Sequence, residues 1–363
     1  MDSTGQHPAN GEDRPSSTAR PTAPREREGR PGVVPPAPDG TMRAIVQEEY
    51  GSADVLRPGR VPRPVPAENQ VLVEVRAAGL DRGTWHLMTG TPYAIRLAMG
   101  LRRPRNRVPG MDLAGTVAAV GSAVTRFAVG DEVFGYGQGS FAEYAVAPEA
   151  KLARKPAELT FEQAAVLAVS GSTALQALRD AGRVQAGQRV LVIGASGGVG
   201  SYAVQLATAF GAEVTGVAST GKLDLVRALG AERVIDYTRE DYTRGPDRYD
   251  AIIDMAGSHS LGENRRALTR NGVYVGVGGP EGGQWIAPLI GVLKPAVISP
   301  FVSQKLSVFL ARTRRDDLVV LARMLEAGQV TPVIDRTYPL AEAAEAIRYL
   351  EQGHAQGKVV LTI

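Results

Sequence analysis

The chain has 363 residues, of which 44% are hydrophobic and 22% charged, and its formal net charge at pH 7 is +3. This length exceeds one ordinary domain core, and the small charge gives no support to nucleic-acid binding. There are no cysteines, which excludes disulfides, thiolate metal sites and a cysteine nucleophile. We therefore expect a two-domain globular protein, compatible with a cytoplasmic location.

Residues 1–41 are rich in proline, glycine, serine and arginine and contain almost no large apolar side chain. Such a segment cannot bury enough surface to fold, so we predict a disordered tail. It also lacks the apolar stretch of a secretory signal. Folded sequence is expected from Met42, which is a candidate translation start.

Short stretches of alternating apolar residues, separated by glycines, follow Met42. They predict strands at residues 44–46, 70–75, 113–120, 132–134 and 141–146. Glycines between strands suit sharp corners. This part of the chain is expected to form a compact, mostly β domain.

The apolar period becomes helical after Phe161, and strands then alternate with helices. The predicted strands are residues 190–193, 213–217, 233–235, 251–255 and 272–277, and the predicted helices between them include 201–210 and 222–229. Alternation of this kind is typical of an α/β fold with a doubly wound parallel sheet.

The carboxyl-terminal part is predicted to contain helices at residues 316–326 and 340–353 and a final strand at 358–363. A strand so late in the chain cannot easily join the preceding parallel sheet, so we expect it to return to the first domain. The apolar run 285–309 is interrupted by two lysines and three prolines. It is interpreted as a buried wall or subunit interface rather than a membrane span, with an apolar rim for a hydrophobic substrate as the alternative.

Residues 189–207, RVLVIGASGGVGSYAVQLA, predict a strand, a glycine turn and a helix. Small residues in such a turn let the backbone approach a pyrophosphate, and the helix start attracts its charge. A dinucleotide is the implied ligand, although Ala195 replaces the first glycine of the usual GxGxxG. The same turn also fits GxSxG, the nucleophile motif of serine hydrolases, with Ser196 as nucleophile.

Several further motifs follow one another along the chain. They are VPGMDLAGTVAAVG at 108–121, VGDEVFG at 129–135, FAEYAV at 141–146, GSTALQAL at 171–178, GASGGVG at 194–200, VIDY at 234–237 and GKVVL at 357–361. With these motifs in this order, the chain from residue 42 onward resembles the zinc-independent, quinone-oxidoreductase-like branch of the medium-chain dehydrogenases/reductases. Within that branch it is most similar to the reticulon-4-interacting-protein-1-like reductases, whose late GHxxGK segment matches residues 353–358.

The resemblance implies a GroES-like catalytic domain and a Rossmann domain with the active site between them. The implied boundaries are residues 42–167 and 301–363 for the catalytic domain and 168–300 for the NADPH-binding domain. A homodimer is also implied.

The end of the second strand of the parallel sheet selects the dinucleotide. An NAD enzyme usually has an acid there, whereas this chain has VAST followed by Lys222, which favours the 2′-phosphate of NADPH. The resemblance implies that one set of residues contacts the pyrophosphate, the nicotinamide ribose and the 2′-phosphate. The set is Thr173, Ser196, Gly197, Gly198, Val199, Ser219, Lys222, Tyr237, His354 and Lys358.

Zinc-dependent relatives hold their metal with cysteine and histidine ligands. Here the position that resembles their GHE motif is Gly110, Met111 and Asp112, and the four histidines have no ligand spacing. We therefore expect no metal ion. Without a metal, hydride addition to an activated acceptor is favoured over alcohol oxidation, which predicts a quinone or an α,β-unsaturated carbonyl as substrate.

Residues 80–88 are the predicted substrate wall, where many relatives carry Asn-Pro and this chain has Asp81 and Arg82. The catalytic candidates are Asp81, which can orient a water or substrate hydroxyl, Trp85, which can stack on a flat acceptor, and Tyr93, a proton donor. Each has an ordinary alternative: a turn cap, a core tryptophan and a tyrosine bonded to backbone.

Three other functions are compatible with the sequence. They are a zinc-free NADP-dependent alcohol dehydrogenase, a non-catalytic NADPH-binding protein and, more remotely, a serine hydrolase. The hydrolase would use Ser196, followed in the chain by Asp254 and His354.

Overall fold

The computed structural model describes residues 40–277 and 298–363. The predicted tail at residues 1–41 lies almost entirely outside these ranges, and so does the first half of the apolar run 285–309. Within the described ranges, no helix is long and apolar enough to cross a membrane.

Most of the amino-terminal strands are short, and glycines lie in several of the turns between them. The strands are β1 (Thr41–Val46), β2 (Arg57–Pro62), β3 (Gln70–Leu80), β4 (Asp112–Val120), β5 (Glu132–Tyr136), β6 (Tyr144–Pro148) and β7 (Leu152–Arg154). Two late strands, β14 (Ile334–Pro339) and β15 (Lys358–Thr362), join them. The resulting sheet has the order β14-β15-β3-β4-β5-β7, with β6 also paired to β3, while β1 and β2 form a separate antiparallel pair. We call the seven-stranded assembly the mixed sheet.

β3 is the central strand of the mixed sheet and is buried along almost its whole length. Its sequence signal ends near residue 75, where the alternation gives way to small residues, yet the strand continues to Leu80. The reason is that β15 pairs with this last part, placing Val359 opposite Leu80 and Leu361 opposite Ala78. The final strand of the chain thus lies in the amino-terminal sheet, as we expected.

The middle of the chain forms a second sheet whose strands are all parallel. Its strands are β8 (Arg189–Ile193), β9 (Glu213–Ala218), β10 (Arg233–Asp236), β11 (Tyr249–Asp254), β12 (Leu268–Val277) and β13 (Lys305–Phe309). The strand order β10-β9-β8-β11-β12-β13 is that of a doubly wound dinucleotide-binding sheet. This confirms the predicted fold class. Ligands of such sheets bind at the carboxyl ends of the strands, where the order reverses beside β8.

Helices cover both sheets and connect their strands. The described helices are α1 (Arg82–Thr89), α2 (Arg96–Met99), α3 (Phe161–Ala164), α4 (Ala168–Gln176), α5 (Gly198–Ala209), α6 (Leu223–Ala228), α7 (Leu261–Ala267), α8 (Arg315–Glu326) and α9 (Ala343–Glu351). The largest core lies between the parallel sheet and helices α4, α5 and α8, and it also includes residues of the mixed sheet, among them Ala77, Phe134 and Val360. A second core fills the mixed sheet and includes the buried face of α9.

The glycine turn between β8 and α5 depends on two residues without side chains. Gly194 has φ of +78°, a left-handed conformation that disfavours other residues. At Gly200, a Cβ would meet the Gly194 carbonyl oxygen at 2.0 Å and the Ala195 Cα at 2.8 Å. The first turn of α5 therefore packs directly on the end of β8, and a methyl group at Gly200 would push backbone apart.

We predict that Gly200→Ala lowers the free energy of unfolding by about 3 kcal/mol, because the clashing atoms belong to the backbone and cannot rotate away. Chemical denaturation of the purified variant measures this. Gly221→Ala is the matched control, since a Cβ there would have nothing within 4 Å. Equal stability of the two variants would show that the turn relaxes freely.

Candidate active site

The glycine turn leaves the start of α5 open. Gly197 caps this helix without any side-chain hydrogen bond, so the first amide groups of α5 have no side-chain acceptor. A Cβ at Gly197 would meet only the Gly194 oxygen, at 3.4 Å, so this side of the turn is uncrowded. Unsatisfied amides at the start of a twelve-residue helix suit a phosphate. The shape of the turn therefore fits the pyrophosphate of a dinucleotide.

The other side of the turn rests on the segment before β15. The Gly357 amide donates to the Ser196 carbonyl oxygen at 2.9 Å, and Gly197 and Gly357 form a parallel bridge. A Cβ at Gly198 would lie 2.9 Å from the Cδ of Lys358. Val199 packs partly into the core, so its backbone rather than its side chain faces the turn. The turn thus joins the parallel sheet to the mixed sheet.

The predicted 2′-phosphate residues lie at the carboxyl ends of β9 and β10. Ser219 follows β9 directly, and the Tyr237 amide bonds to the last carbonyl of that strand, on Ala218. Lys222 Nζ donates to the carbonyl oxygens of Gly353 and Ala355, both at 3.2 Å. The structure therefore brings together residues that the sequence separates, including the exposed His354 between those two carbonyls.

A carboxylate missed in the sequence analysis also lies at this edge. Asp236, at the end of β10, accepts hydrogen bonds from the Thr220 hydroxyl at 2.5 Å and from the amide and hydroxyl of Thr238 at 3.0 and 2.7 Å. These bonds hold the pKa of Asp236 below its usual value. The carboxylate is therefore charged, and it is hydrogen-bonded to two threonines. It differs in this from the acid that binds a ribose hydroxyl in NAD enzymes.

Two of the predicted cofactor residues turn their polar atoms elsewhere. The Thr173 hydroxyl donates to the carbonyl of Val169 within its own helix, at 2.6 Å. Lys358 is only 2% exposed, and its Nζ lies 3.0 Å from Ser170 Oγ and 3.5 Å from Asp112 Oδ2. What Lys358 presents to the glycine turn is its aliphatic stem.

Asp112, the partner of Lys358, is fully buried and was not among the predicted site residues. Its other oxygen accepts the Val169 amide at 2.8 Å, at the start of α4. Burial raises the pKa of Asp112 to about 7, against the opposing effect of the Lys358 charge. The sequence signals that could have found the pair are an aspartate and a lysine that each begin an otherwise apolar strand.

The predicted catalytic residues have local partners. Asp81 caps α1, accepting the Thr84 amide at 2.8 Å and the Thr84 hydroxyl at 3.3 Å. Trp85 Nε1 donates to Glu351 Oε1 in α9 at 2.7 Å. The Arg96 guanidinium lies 4.4 Å from the centre of the Tyr93 ring. These contacts correspond to the capping and packing alternatives for Asp81 and Trp85.

Tyr136 is a second residue that the sequence analysis missed. It ends β5 directly opposite Asp112, and the Lys151 ammonium lies 4.1 Å from its ring centre. Burial, together with the carboxylates of Asp81 and Asp112, raises the pKa of this half-buried tyrosine. Its hydroxyl has no hydrogen-bond partner among residues 40–277 and 298–363. A neutral hydroxyl is thus available beside the predicted substrate wall.

The hydrolase interpretation needs Asp254 to orient a histidine, and the structure uses this aspartate differently. Its oxygens accept the amides of Ala256 and Gly257, at 3.0 and 2.8 Å, and the Tyr274 hydroxyl at 2.9 Å. Asp254 therefore stabilises the turn after β11. For metals, the described part of the chain has no group of three or more His, Cys, Asp or Glu side chains placed to hold an ion.

Comparison with known proteins agrees with this geometry. Residues 67–157 match the family model "Alcohol dehydrogenase GroES-like domain", and residues 229–361 match the model "Zinc-binding dehydrogenase". The chain is 36% identical to the 2-methylene-furan-3-one reductase of Solanum lycopersicum and 37% identical to the chloroplastic NADPH-dependent alkenal/one oxidoreductase of Arabidopsis thaliana. Each match covers 88% of this chain and 79% of the relative.

Among solved structures, the quinone oxidoreductase from Coxiella burnetii is similar with a TM-score of 0.79 and 31% identity. The superposition covers 89% of this chain and 99% of that one. The mixed sheet, the doubly wound parallel sheet and the glycine turn where they meet agree with these family matches. The chain belongs to the quinone-oxidoreductase-like medium-chain dehydrogenases/reductases.

Proposed function

We propose that the protein transfers hydride from NADPH to a quinone or an α,β-unsaturated carbonyl. The observation that carries this proposal is the uncapped glycine turn of α5, which lies beside β9 and its lysine-containing edge. The relatives named above include an NADPH-dependent alkenal/one oxidoreductase, a furanone reductase and a quinone oxidoreductase. Activated acceptors of hydride are common to all three names.

The residues present fit two phosphate groups of NADPH, which are the pyrophosphate and the 2′-phosphate of the adenosine ribose. The open amides at residues 198 and 199, in the first turn of α5, suit the pyrophosphate. Lys222 is held by two neutral carbonyls and has no ion pair within the described ranges, so its charge is free to attract the 2′-phosphate. The Lys222 amide donates to the Ser219 carbonyl oxygen, Tyr237 follows β10, and His354 lies between the two carbonyl partners of Lys222. NADPH, when bound, supplies the hydride, while the protein supplies binding and orientation.

For the acceptor, we propose Tyr136 as the group that hydrogen bonds to the substrate oxygen. Hydride addition to a conjugated acceptor places negative charge on that oxygen, and a fixed hydroxyl donor stabilises it. The raised pKa of Tyr136 keeps the hydroxyl protonated at neutral pH. Asp81, Trp85 and Tyr93 remain predictions, and Tyr93 is the alternative donor.

We propose that no metal takes part. In place of two ligands of zinc-dependent relatives the chain has Met111, whose thioether is a weak ligand for zinc, and Asp112, whose oxygens bind the Val169 amide and Lys358. The homodimer and the cytoplasmic location predicted from the sequence also remain predictions.

Mixing the purified enzyme with NADPH and a panel of benzoquinones and linear enones should give acceptor-dependent loss of the nicotinamide absorbance. Turnover should be unchanged after dialysis against a chelator, because the proposed donor is a side chain. Oxidation of simple alcohols with NADP⁺, without reduction of any acceptor in the panel, would contradict the proposal. Loss of turnover after chelation would contradict only its metal-free part.

We expect Lys222→Ala to raise the KM for NADPH about tenfold, which is the loss of one charge-assisted contact, and to leave the KM for NADH unchanged. Steady-state kinetics with both cofactors measures this. Lys305→Ala, at an exposed position in β13 on the far edge of the parallel sheet, is the matched control. An equal effect of Lys222→Ala on both cofactors would remove Lys222 from the 2′-phosphate site.

For Tyr136→Phe we expect kcat to fall about 100-fold, as for removal of one donor to a developing oxyanion, with unchanged NADPH affinity. Rapid-mixing measurement of hydride transfer tests this directly. Tyr93→Phe is the comparison, because that tyrosine is the donor predicted from the sequence. If Tyr93→Phe loses turnover and Tyr136→Phe does not, Tyr93 rather than Tyr136 is the donor to the substrate oxygen.

A further inference from the structure

A buried ionic cluster lies beneath the glycine turn, where three elements meet. Asp112 begins β4, Ser170 lies in the first turn of α4, and Lys358 begins β15. Lys358 Nζ is 3.0 Å from the serine oxygen and 3.5 Å from Asp112 Oδ2, and the two charged side chains are 2% and 0% exposed. The cluster thus links two strands of the mixed sheet to the helix that leads into the parallel sheet.

The cluster is continuous with the turn itself. The stem of Lys358 fills the space below Gly198, where a Cβ would lie 2.9 Å from Cδ and 3.6 Å from Ser170 Oγ. One residue earlier, the Gly357 amide bonds to the Ser196 carbonyl. A displacement of Lys358 would therefore also displace residues 196–198, which contact this segment.

Stability alone does not explain a buried ion pair at this place. Desolvation of two charges offsets most of their attraction, and apolar residues of similar size often serve as well or better. An ion pair differs from an apolar contact in that it fixes direction and distance. Asp112 also accepts a hydrogen bond from the Val169 amide. The ion pair therefore fixes the position of Lys358 relative to both β4 and α4.

We propose that Asp112 and Lys358 are positioning residues that fix the glycine turn, and with it the bound dinucleotide, in register with the mixed sheet. The proposal rests on the hydride transfer proposed above. It assigns Lys358 no contact with the cofactor. Register matters because the acceptor binds over the mixed sheet and the dinucleotide binds at the parallel sheet, and a shift of about 1 Å between reacting atoms costs about 100-fold in rate.

The test begins with Lys358→Met, which keeps the length of the stem and removes the charge. We expect kcat to fall about 100-fold at saturating NADPH, while the Kd for NADPH, measured by fluorescence titration, changes less than about threefold. A direct phosphate ligand would give the opposite pattern, with weaker binding and a nearly normal kcat. A residue with only a structural role would lower Tm and leave both constants unchanged.

Lys358→Met leaves the Asp112 carboxylate buried without its cation, which is strongly destabilising. The double variant Asp112→Asn with Lys358→Met removes the unpaired charge and keeps an acceptor for the Val169 amide. It is expected to recover most of the lost Tm without recovering kcat. Recovery of both would overturn the proposal, because the pair would then act through stability alone.

Arg179→Met is the matched control. It removes the cation 2.8 Å from Asp317, a carboxylate that is 3% exposed, and within the described residues the hydrogen bonds of its partners Asp180 and Asp317 go to Arg179 and Gln176 rather than to the glycine turn. This variant is expected to lower Tm with kcat unchanged. A comparable loss of kcat would show that any unpaired buried carboxylate slows the enzyme.

A readout independent of turnover separates this inference from the proposed function. Amide hydrogen exchange at residues 196–200 is expected to be faster in Lys358→Met and unchanged in Arg179→Met. If the wild type reduces no acceptor but this exchange pattern holds, the proposed reaction fails and the positioning role stands. If exchange at residues 196–200 is the same in all variants, the positioning role fails whatever the activity.

Discussion

The hydrogen bond from the Gly357 amide to the Ser196 carbonyl is the contact on which the arrangement of the site depends. It joins the residue before the last strand of the mixed sheet to the glycine turn of the parallel sheet. The largest apolar core is shared by the two sheets, because it contains Val192 of β8 together with Phe134 of β5 and Val360 of β15. The polar contacts at Gly357 and at Lys358 add a defined direction to this packing, because hydrogen bonds and ion pairs are specific in angle where apolar packing is not.

The electrostatics of the cofactor edge follow a related principle. Of the charged groups there, Asp236 is satisfied by neutral hydroxyls and an amide, and Lys222 by neutral carbonyls. Neither charge is cancelled by the other. Each of these charged groups therefore remains hydrogen-bonded, as buried and half-buried polar groups require.

Local patterns in the sequence predicted much of the fold. The apolar run of β8 and the glycines after it were sufficient to place the turn, and the alternation that follows predicted the parallel sheet, because these features involve neighbouring residues. The start of α5 was placed three residues late, since glycines at 198 and 200 lack helical propensity and are helical here for steric reasons. β3 was predicted too short because its last residues owe their conformation to β15, far away in the chain.

The candidate site residues divide in the same way. Ser219, Lys222 and Tyr237 follow a recognisable motif, and Lys358 was named from the GHxxGK segment. The contact of Lys358 with Asp112, across 246 residues, is visible only in the folded chain. Tyr136 was missed because its raised pKa depends on burial and on its neighbours Asp81 and Asp112, which only the folded chain brings near it. Asp81 was identified, but a residue with good N-cap chemistry gives the same sequence signal whether it caps a helix or meets a substrate.

The segment 353–357 is held at its start by Lys222 and at its end by Ser196, both of which belong to the cofactor edge of the parallel sheet. All strands of that sheet precede residue 310 in the chain. During synthesis on a ribosome, the nucleotide-binding sheet can therefore be complete while the site it serves is still open on one side. Only when residues 352–363 have emerged, and β15 has inserted between β14 and β3, does the chain complete the contacts with Lys222 and Ser196.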